Sequence, residues 1–273
     1  MTIEDVWKIN KKQEARAIYG TTNDDHPGVK YLYTKTKEYY LGGNLKKVQL
    51  PHHYDYQLLR HSPDELKKQF KKLGWKKIIA FQTRNPMHRA HKEISYRAAV
   101  DNGANLLIHP VIGETKPGDV DHFTRVRCYQ KILKYFPEGT TALSLLPLAM
   151  RMAGPREALW HTIIRKNYGC THIIIGRDHA GVGNFYDPFA AHKIFEDYPE
   201  LEIQPIFFPA FFYCKKCLTF TNPKVCPHDA DSREQISGTK LREMIQNGQS
   251  PSEFILRPEV ARVIIDFDKP FVE

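Results

Sequence analysis

The residues from Gln82 to His91 read Gln, Thr, Arg, Asn, Pro, Met, His, Arg, Ala, His. At the start of a helix, His88 and His91, three apart, turn both imidazoles to one side. Arg84 adds a planar guanidinium suited to bidentate recognition of an oxyanion. A strand-to-helix turn also presents free backbone N–H groups and a positive dipole end, which together make an anion site. One histidine beside an Asn-Pro turn would read as a structural donor. Gln82, Arg84, Asn85 and two histidines in one turn point to the stabilisation of concentrated negative charge. A second loop, Gly176 to Gly183, reads Gly, Arg, Asp, His, Ala, Gly, Val, Gly. Its glycines allow close backbone approach to a ligand, and Arg177 and His179 supply donors. Two weaker segments are the Gly113 to Asp119 loop and the Ile236 to Arg242 stretch, Ile, Ser, Gly, Thr, Lys, Leu, Arg.

A separate cluster is formed by Cys214, Cys217, Cys226 and His228. Four soft or borderline ligands on one loop suit structural zinc; reduced thiols are the alternative, and Asp229 or Asp231 could replace His228 as the fourth ligand. With five cysteines in the chain, the odd count fits metal or free thiols better than a disulfide framework.

Positioning these groups requires strands that end at the loops. Short apolar runs recur at 76–82, 105–111, 141–146, 170–178 and 201–208, and helical patterns lie between them, including 91–99, 121–135 and 155–165. Ser62, Pro63, Asp64 and Glu65 give an N-cap, a proline in the first turn and early acids, a helix start. Apolar strands alternating with helices indicate a doubly wound parallel sheet, whose ligands bind beyond the carboxyl ends of the strands. Both polar loops fall there. Before the polar and aromatic boundary at 51–62 the pattern is a small β-rich segment, with a strand expected at Tyr31–Tyr33 and a hairpin at Gly42 and Gly43.

The chain has 273 residues, 41% hydrophobic and 26% charged. That composition excludes disordered and collagenous classes. Its apolar runs are far shorter than the ~20 residues of a membrane span. The first ten residues lack the apolar core of a signal peptide, so the expected location is cytoplasmic. The net charge is +9 and the pI about 9.2, which favours an anionic partner without naming it. A nucleic-acid-binding protein is the rival reading on charge; it leaves the spacing of the two polar loops unexplained.

The segments Gln82–His91, Gly176–Gly183 and Ile236–Met244, in that order, resemble the ATP sulfurylase (sulfate adenylyltransferase) family of the nucleotidylyltransferase superfamily. The resemblance implies a Rossmann-like doubly wound sheet of the HxxH type, preceded by a remnant of a small β-rich, PUA-like domain. It implies transfer of the adenylyl group of MgATP to sulfate, giving adenosine 5′-phosphosulfate and pyrophosphate. It further implies that Thr83, Arg84, Asn85, His88 and His91 are catalytic, and that Gln82, Thr83, Arg84, Asn85, Gly176, Arg177, Asp178 and His179 bind ATP. Sulfate would be held by Gln82, Arg84 and the backbone of Ala180. The ligands expected are ATP with Mg²⁺ and sulfate, with structural zinc, no nucleic acid, no membrane and a homo-oligomeric assembly. The expected domains are residues 1–56 as the closing part of the PUA-like domain, 57–235 as the catalytic unit carrying the zinc loop near 214–228, and a C-terminal helical segment, 236–273.

Overall fold

The computed structural model of the chain describes residues 1–113, 118–208, 211–234, 238–249, 251–267 and 269–272, with backbone alone at 238–240 and 242. Residues 114–117 of the Gly113 loop, and Ile236 and Ser237, lie outside the described residues.

The first fifty residues contain β1 (Thr2–Lys8), α1 (Lys11–Tyr19), α2 (Pro27–Thr34) and β2 (Tyr39–Asn44). β1 and β2 pair antiparallel as a two-stranded ribbon. Two local expectations fail here. Tyr31–Tyr33 is helical: His26 caps α2 by accepting from the N–H groups of Gly28 and Val29, and Pro27 opens the first turn, an arrangement that fixes the helix direction before the aromatic run begins. Leu32 is therefore buried, beside Val29, Ala15 and Tyr19. Gly42 and Gly43 make no hairpin turn; they lie within β2, opposite Asp5 and Ile3.

The rest of the chain forms α3 (Pro63–Lys72), β3 (Ile78–Phe81), α4 (Arg89–Asp101), β4 (Asn105–Ile108), α5 (His122–Leu133), β5 (Thr141–Leu143), α6 (Pro155–Asn167), β6 (His172–Ile175), α7 (Ala190–Lys193) and β7 (Gln204–Phe207). After it come β8 (Phe212–Cys214), β9 (Thr219–Thr221), β10 (Arg233–Glu234), α8 (Gly238–Gln246) and α9 (Pro258–Ile265). β3 to β7 make a five-stranded parallel sheet in the order β5-β4-β3-β6-β7. Alternate residues face opposite layers. Ile79, Phe81, Leu106, Ile108 and Ile174 join the core formed with α4, α5 and α9. Ile78, Ala80, Leu107, Ile173 and Ile175 join the core on the other face with α3 and α6. Burial on both faces explains why these strands read as continuous apolar runs. α3 begins as its sequence implies, with a capping box between Ser62 and Glu65. α9 packs on α5 and supplies Val260, Ala261 and Ile264 to the first core.

The strand order reverses between β3 and β6, which are hydrogen-bonded neighbours with Phe81 opposite Ile174. A crevice opens at such a switch point, where loops from adjacent strands leave in different directions. Among the described residues, no helix is long and apolar enough to cross a membrane.

Candidate active site

The loop after β3 is held by buried groups on neighbouring elements. Val111 N–H donates to Thr83 O at 3.0 Å, and Thr83 Oγ1 accepts from Asn85 N–H at 3.1 Å. Arg125 on α5, 1% exposed, donates from Nη1 to the carbonyls of Arg84 at 2.8 Å and Val111 at 3.1 Å. One turn on, the Tyr129 hydroxyl donates to Asn85 O at 2.9 Å. Arg165 on α6 is fully buried and donates to Gln82 Oε1 and to His109 O. The Arg84 guanidinium meets the buried Asp119 carboxylate at 3.1 Å. These contacts leave the Gln82–Asn85 turn little freedom, the condition for electrostatic preorganisation.

His88 is both a cavity residue and the N-cap of α4, its Nδ1 accepting from His91 N–H at 3.4 Å. The two imidazoles stack, with centroids 3.6 Å apart. Burial pushes the His88 pKa down to about 4, and burial with the neighbouring His88 holds His91 well below the usual range. Both rings are therefore neutral at pH 7, and because Nδ1 of His88 is an acceptor, its single proton sits on Nε2.

The loop after β6 carries backbone strain. Asp178 and Ala180 lie at φ 56° and 55°, a region non-glycine residues rarely occupy and which clusters at functional sites. The loop is pinned by Asp178 N–H to Pro188 O at 2.9 Å and by Gly154 N–H to Ala180 O at 3.0 Å. Gly154 cannot be replaced: its φ is +52° and an added Cβ would come within 2.7 Å of the Tyr186 ring. A Cβ at Gly176, by contrast, would point into open space, so this position lets a ligand approach the backbone.

Both loops line one cavity of about 440 Å³. Gln82, Thr83, Arg84, Asn85, His88 and His91 stand on one side, and Gly176, Arg177, Asp178, His179 and Ala180 on the other. All the residues singled out in the sequence for the nucleotide and sulfate thus share one space. The sequence reading missed the apolar wall, Ile94, Met150, Phe208 and Phe211, and the buried supports Arg125, Tyr129 and Arg165; it included Asp119 in the Gly113 loop without giving it this role. A signal for Arg125 was present: Arg125, Tyr129 and Ile132 recur at helical spacing among apolar residues, so a cation falls on the core face.

The Cys/His cluster is distinct from this cavity. β8, β9 and β10 form a small antiparallel sheet, and the ligand atoms of Cys214, Cys217, Cys226 and His228 lie within 4.8 Å of one another. His228 Nδ1 is 3.4 Å from Cys214 Sγ, 3.2 Å from Cys217 Sγ and 3.9 Å from Cys226 Sγ, and the Cys217 and Cys226 sulfurs are 3.9 Å apart. A tetrahedral zinc with bonds of about 2.3 Å to sulfur and about 2.0 Å to nitrogen requires edges of roughly 3.5 to 3.8 Å, so the four groups fit a metal. Asp229 and Asp231 are exposed and outside the cluster. The hairpin is tied back to α4 through Arg97 Nη2 to Phe220 O, and Tyr213 stacks on Phe254.

A doubly wound parallel sheet with an HxxH turn at its switch point defines the class of this protein. Comparison with known proteins then gives the family. The ATP-sulfurylase family model matches residues 57–267, and a PUA-like domain model matches residues 1–50. The chain is 52% identical to the sulfate adenylyltransferase of Cenarchaeum symbiosum, over 99% of this chain and 71% of that protein. It is 48% identical to the sulfate adenylyltransferase of Gibberella zeae, over 97% of this chain, and spans 47% of that relative's length. Among solved structures it is similar to a hexameric APS kinase from Thiobacillus denitrificans, with a TM-score of 0.70 and 31% identity, covering 85% of this chain and 44% of that one. The chain belongs to the ATP-sulfurylase family.

Proposed function

We propose that this chain transfers the adenylyl group of MgATP to sulfate, forming adenosine 5′-phosphosulfate and pyrophosphate. The observation that carries the reading is the convergence of the Gln82–His91 and Gly176–Ala180 loops on one cavity. Sulfate is fully ionised at neutral pH, so its oxygen attacks the α-phosphorus without a general base, and the bond to the bridging oxygen of pyrophosphate breaks. Consistent with this, Asp178 is the sole carboxylate among the described residues that line the cavity. The barrier is electrostatic: a dianion approaches a polyanion, and unit charges 4 Å apart repel by about 1 kcal/mol even in water. In this reading Arg84 and the backbone N–H of Ala180 hold sulfate with Gln82, and Thr83 and Asn85 keep the turn in register. His88 and His91 line the phosphates, and residues 176 to 179 hold the nucleotide. Mg²⁺ would arrive with the ATP phosphates and spread their charge.

Zinc bound by Cys214, Cys217, Cys226 and His228 would have a structural role. It would fix the hairpin that follows Phe208 and Phe211, two residues of the cavity wall, and would not touch the reacting atoms. The proposed setting is the cytoplasm and the proposed assembly a homo-oligomer, the latter supported by the hexameric relative. The test is pyrophosphate release by the full chain from MgATP with and without sulfate. Release that requires sulfate or a close tetrahedral oxyanion supports the proposal; equal release without it, or release with a phosphorylated organic acceptor instead, overturns it.

A further inference from the structure

Behind the cavity, two buried groups to which the proposed function gives no role, Glu157 and His161, lead in a chain to half-buried His179. Glu157 and His161, on α6, are 1% and 0% exposed. The Glu157 carboxylate accepts from Arg151 N–H and Ala153 N–H, each at 2.9 Å. His161 Nε2 lies 3.4 Å from Glu157 Oε1, an ion-pair-length contact. On its other side, His161 Nδ1 is 3.0 Å from Nε2 of His179, which lines the cavity.

Proton positions along this chain follow from what each group can accept. Burial raises the Glu157 carboxyl, but His161 and the two backbone N–H groups outweigh it and keep it below the usual range, so it is an acceptor only. His161 must then carry a proton on Nε2, because a lone pair facing a carboxylate would be repelled. A second proton is disfavoured by burial, which outweighs the Glu157 attraction, and by the Arg165 guanidinium one turn away. His161 Nδ1 is thus a lone pair, and the facing Nε2 of His179 must supply the hydrogen. Burial, with His161, Arg165 and His192 around it, holds the His179 pKa well below the usual range, so Nδ1 of that ring stays bare.

We propose that Glu157 and His161 are positioning residues that fix His179 as a hydrogen-bond acceptor at Nδ1, so that it takes an N–H or O–H donor of the nucleoside and not a phosphate oxygen. The inference rests on the nucleotide reading of the cavity. It also gives the cavity a polarity. His88 commits Nδ1 to capping α4 and offers Nε2–H, suited to a phosphate oxygen; His179 commits Nε2–H to His161 and offers a lone pair. The two histidines, from the loops that follow the adjacent strands β3 and β6, are complementary to opposite ends of a nucleotide and set its direction.

The first experiment reads the tautomers of the unliganded full chain by ¹⁵N NMR. His179 is expected to show a protonated Nε2, shared with His161 and slow to exchange, and a bare Nδ1. A proton on Nδ1 of His179 would overturn the proposal whether or not the protein binds nucleotide. The second compares ATP with analogues in wild type and His179→Ala. The analogues are inosine triphosphate, which lacks the exocyclic amine, and 2′-deoxy- and 3′-deoxy-ATP, which each lack one hydroxyl. One of them should bind about tenfold more weakly than ATP to wild type and equally to the variant, which identifies the donor. If every analogue loses the same factor in both proteins, the assignment of His179 to the nucleoside fails. Third, Glu157→Gln and His161→Phe should raise KM for ATP about tenfold with little change in kcat or in KM for sulfate. Folded variants that lose kcat alone, or neither parameter, would also overturn it. Failure of wild type to bind any nucleotide would instead defeat the functional reading and leave the tautomer result standing.

Discussion

The five-stranded parallel sheet and the two-stranded ribbon near the N-terminus both contain strands rich in apolar and aromatic residues, and they differ in what those residues meet. In the sheet, Ile78, Ile79, Ala80 and Phe81 are all buried, two against each layer of helices. In the ribbon, Ile3 is 54% exposed, Val6 55%, Tyr39 57% and Leu41 53%. Full burial of such a side chain contributes about 1.5 to 3 kcal/mol, a gain that the ribbon largely forgoes. Desolvated charge and strained backbone carry a cost that the surrounding structure must offset, and the loops at 82–91 and 176–183, which carry both, leave the buried sheet. Between the two regions, α1 and α2 form a joint. His26 is fully buried, its Nε2 3.0 Å from both Met152 O and the Tyr186 hydroxyl, and Ala153 packs into the small core of α1 and α2.

The strongest challenge to this contrast is to remove one charge-stabilising group from the sheet's loops. Arg84→Ala and His88→Ala should fold and lose about 10² to 10³ in kcat, the usual effect of deleting one preorganised donor. Wild-type turnover in either variant would return that residue to a structural role and sever the chemistry from the sheet. Next in size is the core itself. Leu107→Ala, at a fully buried position of the interior strand β4, should cost about 3 kcal/mol and lower Tm by roughly 6 to 12 °C. Val6→Ala in the ribbon should stay within about 0.5 kcal/mol. Similar losses in thermal melts of the two variants would mean that the ribbon is packed as firmly as the sheet.

Acid should separate the regions more gently. His88, His91, His109 and His179 all have pKa values lowered chiefly by burial, His88 to about 4, whereas an unfolded histidine titrates near 6.5. Between those values the unfolded chain binds more protons than the folded one. Stability is therefore fully present above about pH 6.5 and falls as the pH drops towards 4. The urea midpoint should decline from pH 7 to pH 5. A flat or rising midpoint would mean that the cavity histidines carry charge in the folded state. Neither ribbon strand contains a histidine, so its amide protection should not follow this decline.

Much of the contrast was legible in the sequence. Continuous apolar runs gave the five parallel strands, and the carboxyl-end rule located the two loops, because each motif is contiguous and announces its own chemistry. Arg165 and the Glu157–His161 pair were not legible as supports, and helical spacing marks Arg125 only as a cation on a core face, without its partner. A buried charge is rare, and its partners lie far along the chain, 41 residues from Arg125 to Arg84 and 83 from Arg165 to Gln82; only the fold brings them together. Tyr31–Tyr33 was misread for a related reason: aromatic residues favour strands weakly, and the docking of Val29 and Leu32 against Ala15 and Tyr19 overrides that preference.

The smallest expected effect lies within the N-terminal segment itself. If the ribbon is held only by its own pairing, its amides should exchange through local openings of low free energy, while those of the sheet require global unfolding. α1 and α2 should fall between, because His26 ties them to the loop carrying Met152, and at Gly28 the backbone approaches so closely that an added Cβ would lie 2.6 Å from Arg151 O. Hydrogen exchange should therefore show three levels: fast at 2–8 and 39–44, intermediate at 11–19 and 27–34, slow at 78–81 and 172–175. His26→Ala should bring the intermediate level down to that of the ribbon and leave the sheet unchanged. Equal protection of ribbon and sheet in wild type would show that the ribbon shares the core's cooperativity. An intermediate level that survives His26→Ala would shift the joint to the apolar contacts around Ala153.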